Sequence, residues 1–245
     1  MKERFKRVVN FYGEDGFEKI RNARVLIAGL GGVGSHCASA LARSGVGSLV
    51  LVDFDNITES SLNRNAIVGE QWIDQSKAEA LSRTLTSLCP DTECIPVKLF
   101  ITKDTLEAPD FMRDSHMVVD AVDSVNPKTQ LLQYCAENGI TVFSSMGAAG
   151  KRDPSKIETG DISDTNGCPL ARMVRKYLKR RGVITGISCV WSTEQGIKPL
   201  PPDNSEPILD SRGRTRNALP SLITMPGIFG YILAQMVLDN TAGES

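Results

Sequence analysis

Apolar residues along the chain gather into short runs separated by glycine-rich or charged stretches, and the runs alternate between two periods. RVLIA at Arg24–Ala28 is continuously apolar after its first residue and predicts a buried strand. A glycine turn follows, then an amphipathic helix to about Arg43, then a second apolar strand over 49–53. SKAEALSRTLTSLCP places Ala78, Leu81, Leu85 and Leu88 on one helical face, and Pro90 stops it. Ser76 and Glu79 have the spacing of a capping box. Strands are expected over 94–100, in HMVVDAVDS, in ITVFSSMG and in GISCVWS, with a helix in KTQLLQYCAENG closing at Gly139. Alternating strands and helices predict an α/β fold: a doubly wound, mostly parallel sheet with a Rossmann-like turn and a C-terminal extension.

No internal repeat breaks the pattern, so residues 1–245 are read as a single domain, 41% hydrophobic and large enough for one core. The uncharged run 217–238 is about long enough to span a bilayer. Pro220, Pro226, Gly227 and Gly230 interrupt it, which favours a buried C-terminal helix or an oligomer contact. The N-terminus has no apolar core of the signal-peptide kind. Six cysteines lie scattered without a Cys-x-x-Cys pair, which argues against a zinc knuckle and a secreted disulfide framework. Together these point to a cytoplasmic protein with no stable membrane partner.

Charge changes the picture only locally. The chain holds 28 Lys and Arg against 29 Asp and Glu, so no global field suits a nucleic acid or a membrane. Residues 146–216, however, carry a net charge of +5 and contain a proline-rich stretch that reads as a long loop. This basic region is the candidate substrate side.

The chemistry begins at the glycine turn. Gly29, Gly31 and Gly34 fit G-x-G-x-x-G, with Gly32 between them. Such a turn lets backbone N–H groups approach a phosphate at a helix N-terminus. Asp53 follows about twenty residues on, where an acid can bind ribose hydroxyls. The fingerprint itself does not choose between NAD and ATP. The residues after it do. Arg64 and Lys77 are candidate cations for a triphosphate, and Asp123 is a candidate metal ligand. Singly, the cations could be solvated charges and Asp123 a helix cap. As an ordered series they suit an enzyme that brings a carboxylate to the α-phosphorus of ATP.

The series RFKRV, RNARVLIAGLGGVGS, LVLVDFDNI, NRN, SKAEAL and VVDAVDS resembles the ubiquitin-activating, ThiF, MoeB and HesA superfamily of adenylating enzymes. SSMGAAGKRDPSKIETGDIS, PLARMVRKYLKRRGV and VWSTE resemble its branch of tRNA threonylcarbamoyladenosine dehydratases. The resemblance implies ATP and Mg²⁺ as cofactors and leaves a monovalent cation open. It implies phosphate contacts at Gly29, Gly31 and Gly34, a ribose contact at Asp53, and Asp55 beside the reacting phosphate. Asn63, Arg64 and Lys77 match its ATP residues and Asp123 its magnesium aspartate. Arg7 matches an arginine reaching the neighbouring subunit's site, which implies a homodimer. Asn65 stands where the family usually has Gln, Ser124 where it often has Asn, and Cys168 where related dehydratases often carry Asp.

Within the basic region, PLARMVRKYLKRRG puts Leu170, Met173, Val174, Tyr177 and Leu178 on one helical face. Arg172, Arg175, Lys176, Lys179, Arg180 and Arg181 occupy the rest, with no acid among them. A solvated face is the ordinary reading of such a run. The resemblance favours phosphate contacts to a tRNA stem-loop, with Arg212, Arg214 and Arg216 closing over the anticodon loop. The expected activity is adenylation of the threonyl carboxylate, then ring closure. The alternatives are an activator of a sulfur-carrier or ubiquitin-like protein, using Cys168 or Cys189, and an NAD-dependent or non-catalytic binder. A free thiol in an apolar strand such as GISCVWS is more often inert.

Overall fold

The computed structural model describes residues 2–108, 112, 114–197 and 219–243. Among these residues, seven strands form one sheet: β1 Arg24–Ala28, β2 Ser48–Val52, β3 Glu93–Val97, β4 Met117–Asp120, β5 Thr141–Ser145, β6 Ile157–Asp161 and β7 Ser188–Ser192. Their order is β3-β2-β1-β4-β5-β7-β6, and every described pairing is parallel except that of β6 with β7. The order reverses direction between β1 and β4. A doubly wound sheet opens its ligand crevice at that point, beyond the C-terminal strand ends.

Among the described residues, seven α-helices flank the sheet: α1 Lys6–Asn22, kinked at Gly13, α2 Gly32–Ser44, α3 Lys77–Leu88, α4 Lys103–Leu106, α5 Val125–Glu137, α6 Pro169–Lys179 and α7 Thr224–Ala242. One face packs Ile20, Leu41, Leu81, Leu85, Phe229 and Leu233, from α1, α2, α3 and α7. The other packs Leu106, Leu131, Leu132, Val174 and Leu178, from α4, α5 and α6. The expected C-terminal helix is therefore a buried layer of the fold. Pro226 is tolerated because it lies in the first turn, whose N–H groups have no intrahelical partner. Gly230 has a packing role: a Cβ there would lie 2.5 Å from the Val33 carbonyl oxygen of α2.

Several elements differ from the sequence reading. β3 ends at Val97, three residues short of Phe100. Its partner β2 ends at Val52, which pairs with Val97, so no ladder remains beyond it. The strand in HMVVDAVDS is only Met117–Asp120. Ser76 caps α3 by position, but its side chain makes no capping hydrogen bond, so the expected capping box does not form. α5 begins at Val125, before Pro127. α1 and the antiparallel edge strand β6 were not anticipated. Among the described residues, no helix is long and apolar enough to cross a membrane.

Candidate nucleotide site

The glycine turn leaves β1 at Gly29, whose φ of 86° lies in the left-handed region that favours glycine. A Cβ on Gly34 would fall 1.8 Å from the Gly29 carbonyl oxygen, so this contact requires a bare backbone. A Cβ on Gly31 would meet nothing within 4 Å. The second glycine therefore faces open space at the N-terminus of α2, where a phosphate would be received.

Asp53 is 8% exposed, at the end of β2. Its carboxylate accepts from the Leu30 N–H at 2.7 Å and from the Asp55 N–H at 2.9 Å. It thus braces the turn and the following loop at once. Burial pushes its pKa up from the ordinary carboxylate value, opposed by the Lys77 charge and these backbone donors. Asp55 pairs with Lys77 at 3.0 Å, and the Lys77 side chain is only 14% exposed.

The Asn-Arg segment docks on the same turn. The Asn65 amide donates to the Leu30 carbonyl at 3.3 Å, and the Ala66 N–H donates to the Ser35 hydroxyl at 3.2 Å. A Cβ on Gly32 would lie 3.4 Å from the Arg64 Cβ. The Arg64 guanidinium donates to the Asn63 side-chain oxygen at 3.1 Å, and the Asn63 amide donates to the Ser221 carbonyl at 3.1 Å. Asn65, where the family usually has Gln, is thus a buried brace of the turn.

Asp123 follows β4 on the facing side of the crevice. The Ala121 carbonyl oxygen, two residues earlier, would lie 2.7 Å from a Cβ on Gly29. Asp123 is exposed and accepts from the Ser124 hydroxyl at 3.2 Å. Among the described residues, no three His, Cys, Asp or Glu side chains cluster to hold a metal. One exposed carboxylate is a donor set that fits Mg²⁺ arriving on nucleotide phosphates, because Mg²⁺ commonly takes one or two protein carboxylates plus phosphate oxygens.

Sequence reasoning missed a buried network directly beneath this loop. Lys128, in the first turns of α5, pairs with Asp120 at 2.5 Å, and both side chains are 0% exposed. The Ser144 hydroxyl donates to the same carboxylate at 2.7 Å, and the Val122 N–H donates to its other oxygen at 3.1 Å. An acid inside the apolar run MVVDAV was the available signal, since a buried carboxylate needs a partner.

Other candidates lie elsewhere. Arg7 is exposed near the start of α1, two residues after Phe5. The Phe5 ring sits 3.1 Å from a Cβ built on Gly45, the C-cap of α2. The thirteen-residue α2 spans about 20 Å, so Arg7 is remote from its own chain's turn. On α6, Arg175 bonds the Thr165 carbonyl and hydroxyl; the helix ends at Lys179, and Arg181, in the turn after it, donates to the Gln133 side-chain oxygen at 2.9 Å. Arg172, Lys176, Lys179 and Arg180 are exposed, with Arg180 stacked 5.7 Å from the Tyr177 ring centroid. Arg212, Arg214 and Arg216 lie outside the described residues. Cys189 is 0% exposed and burial pushes its thiol pKa up, while Cys168 is 5% exposed.

A Gly-rich turn at a sheet's switch point, braced by the buried Asp53 and flanked by Lys77 and the Asn63–Arg64 segment, is the arrangement of a nucleotide-binding protein of the doubly wound class. A ThiF family profile matches residues 5–244, and the chain belongs to that family. Among its relatives, tRNA threonylcarbamoyladenosine dehydratase 2 of Saccharomyces cerevisiae is 36% identical over 265 residues, covering 100% of this chain and 57% of the relative. The Bacillus subtilis tRNA threonylcarbamoyladenosine dehydratase is 36% identical over 197 residues, covering 80% of this chain and 77% of the relative. The chain thus spans less than two thirds of the yeast relative and about three quarters of the bacterial one. The E. coli tRNA N6-threonylcarbamoyladenosine dehydratase solved with ATP superposes with a TM-score of 0.85 at 28% identity, covering 99% of this chain and 95% of that chain.

Proposed function

We propose that this protein is an ATP-dependent dehydratase acting on threonylcarbamoyladenosine in tRNA. The observation that carries the reading is the convergence of the glycine turn, Asp53, the Asn63–Arg64 segment, the Asp55–Lys77 pair and the Asp123 loop at one crevice. The relatives' names and the ATP-bound structure of one of them supply the substrate class.

In this reading the turn amides of Gly31, Gly32 and Gly34 receive phosphate oxygens, and Asp53 holds the ribose. Arg64 and Lys77 neutralise charge that builds as pyrophosphate departs. Mg²⁺, held at Asp123 when bound, adds charge neutralisation on the phosphates. A threonyl carboxylate oxygen attacks the α-phosphorus, the bond to pyrophosphate breaks, and an acyl adenylate results. The neighbouring carbamoyl group then attacks the acyl carbon and expels AMP, which retains one carboxylate oxygen. A carbamoyl proton is released, so the nucleoside loses one water overall. Ring closure within one substrate needs little beyond orientation.

The remoteness of Arg7 from its own turn supports a homodimer in which Arg7 serves the partner's site. The exposed cations Arg172, Lys176, Lys179 and Arg180 are the ones left to contact tRNA phosphates. Arg175 and Arg181 serve the fold. Activation of a carrier protein through a cysteine is disfavoured by the burial of Cys168 and Cys189.

The test is nucleoside analysis of modified tRNA incubated with protein, ATP and magnesium. One AMP and one pyrophosphate are expected for each nucleoside that loses water. Unchanged tRNA, with AMP formed only when a Gly-Gly-ended carrier protein is added, would contradict the reading.

A further inference from the structure

A cleft of about 310 Å³ opens beside α6, away from the crevice. Its accessible apolar surface is made by Val183, which is half-buried, and Ile184, which is 61% exposed, with the buried Ile162 and Leu178 packed beneath them. Arg172, Lys176 and Lys179 line one side. These three recur at helical positions i, i+4 and i+7, so they form one row roughly 10 Å long. Among the described residues none of the three has a carboxylate partner.

The placement is informative. The N-cap of α6, Cys168, lies against Gly147, just past the C-terminal end of β5 and hence at the catalytic edge of the sheet. The helix runs from there toward the opposite edge, where the Ile162 N–H donates to the Ile187 carbonyl just before β7 begins. Eleven helical residues cover about 16 Å. Whatever fills the cleft is therefore not the nucleotide being modified.

We propose that this cleft anchors an unpaired nucleotide of the RNA substrate at a distance from the reacting one. The base lies against Val183 and Ile184, above the buried Ile162 and Leu178, and its flanking phosphates lie along Arg172, Lys176 and Lys179. The row of uncompensated cations selects a polyanion. The apolar surface selects an exposed base, which a duplex keeps stacked inside and a single-stranded loop or bulge offers. The inference rests on tRNA being the substrate, and it assigns the site a ligand class: single-stranded RNA in a region outside the modified loop position.

Ile184→Asp places a negative charge at the mouth of the cleft, and Ile184→Ser is the milder variant if Ile184→Asp does not fold. The ATP-induced rise in melting temperature shows in each case that fold and nucleotide site are intact. We expect the tRNA KM to rise about ten-fold with less than two-fold change in kcat. One unpaired nucleotide outside the modified position, protected from chemical probing by the wild-type protein, should regain reactivity with the variant. Single-stranded oligouridylate should compete with tRNA better than duplex RNA or polyglutamate of equal charge. Lys176→Ala and Lys179→Ala should each lower the salt dependence of binding by a slope of about 0.7. Wild-type KM and footprint in a folded Ile184→Asp or Ile184→Ser protein would overturn the cleft assignment, as would equal competition by polyglutamate. Absence of any tRNA-dependent AMP from the wild-type protein would instead overturn the substrate reading on which it rests.

Discussion

At Gly34 a Cβ would stand 1.8 Å from the Gly29 carbonyl oxygen, and backbone cannot give way as a flexible side chain can. Gly34→Ala is expected to cost about 3 kcal/mol and to weaken ATP binding with it, read by denaturant melts and by the ATP-induced melting shift. Gly31→Ala meets nothing within 4 Å and should fold normally, so any loss there would be a loss of phosphate contact. Lys77→Ala should retain the fold and lower AMP formation by 10²–10³-fold, roughly the cost of removing one transition-state donor. Lys128→Met differs in kind. It leaves Asp120 buried with its charge unmatched, which is expected to cost about 3–5 kcal/mol. Replacing both partners by apolar residues should recover much of that loss, since neither charge then remains to be buried. A fully stable Lys128→Met protein would contradict this.

Carboxylates satisfied by backbone N–H groups hold several loops of the fold, and one of them, beyond β7, makes a pH test. Glu194, after β7, accepts from the Arg152 and Asp153 N–H groups, both at 2.9 Å. These bonds hold its pKa below the ordinary glutamate value. A depressed carboxylate contributes stability that is fully present above its unfolded pKa of about 4.3 and is lost as pH falls through the folded value. Amide exchange at Arg152 and Asp153 should therefore speed up, relative to neighbouring amides, below about pH 4. In Glu194→Gln that acid-specific acceleration should vanish. The alternation of strands and helices was legible because apolar runs of strand length are bounded by glycine and proline. The nucleotide turn was legible because it needs glycine at fixed places. α1 was not, since its apolar face is broken by Gly13, whose φ is 74°. β6 was not, because ETGD within it carries no apolar alternation at the sheet's edge. The candidate site's acids and cations follow one another in sequence as a series, whereas the Lys128–Asp120 pair was hidden by long-range packing that spacing does not reveal. Over 172–181, composition suggested six equivalent cations; only the fold shows that α6 ends at Lys179 and that Arg175 and Arg181 bond inward.

At the scale of the whole molecule, the sheet separates two jobs. Its C-terminal edge gathers the nucleotide residues, while α6 carries a basic row toward the other edge. Arg7 lies about the length of α2 from its own chain's turn, so the role proposed for it at the nucleotide calls for a partner subunit's site. Arg7→Ala and Lys77→Ala proteins should each be inactive but folded. A purified heterodimer of the two would have one of its two sites intact and should regain part of the activity. No recovery in a verified heterodimer would place Arg7 outside the reaction. The central claim is that the substrate carboxylate itself attacks the α-phosphorus. The most direct measurement uses tRNA whose threonyl carboxylate carries ¹⁸O at both oxygens, with mass analysis of the AMP formed. The account predicts one ¹⁸O in each AMP, released in step with a nucleoside that has lost one water. AMP or ADP without label, alongside dehydrated nucleoside, would contradict it.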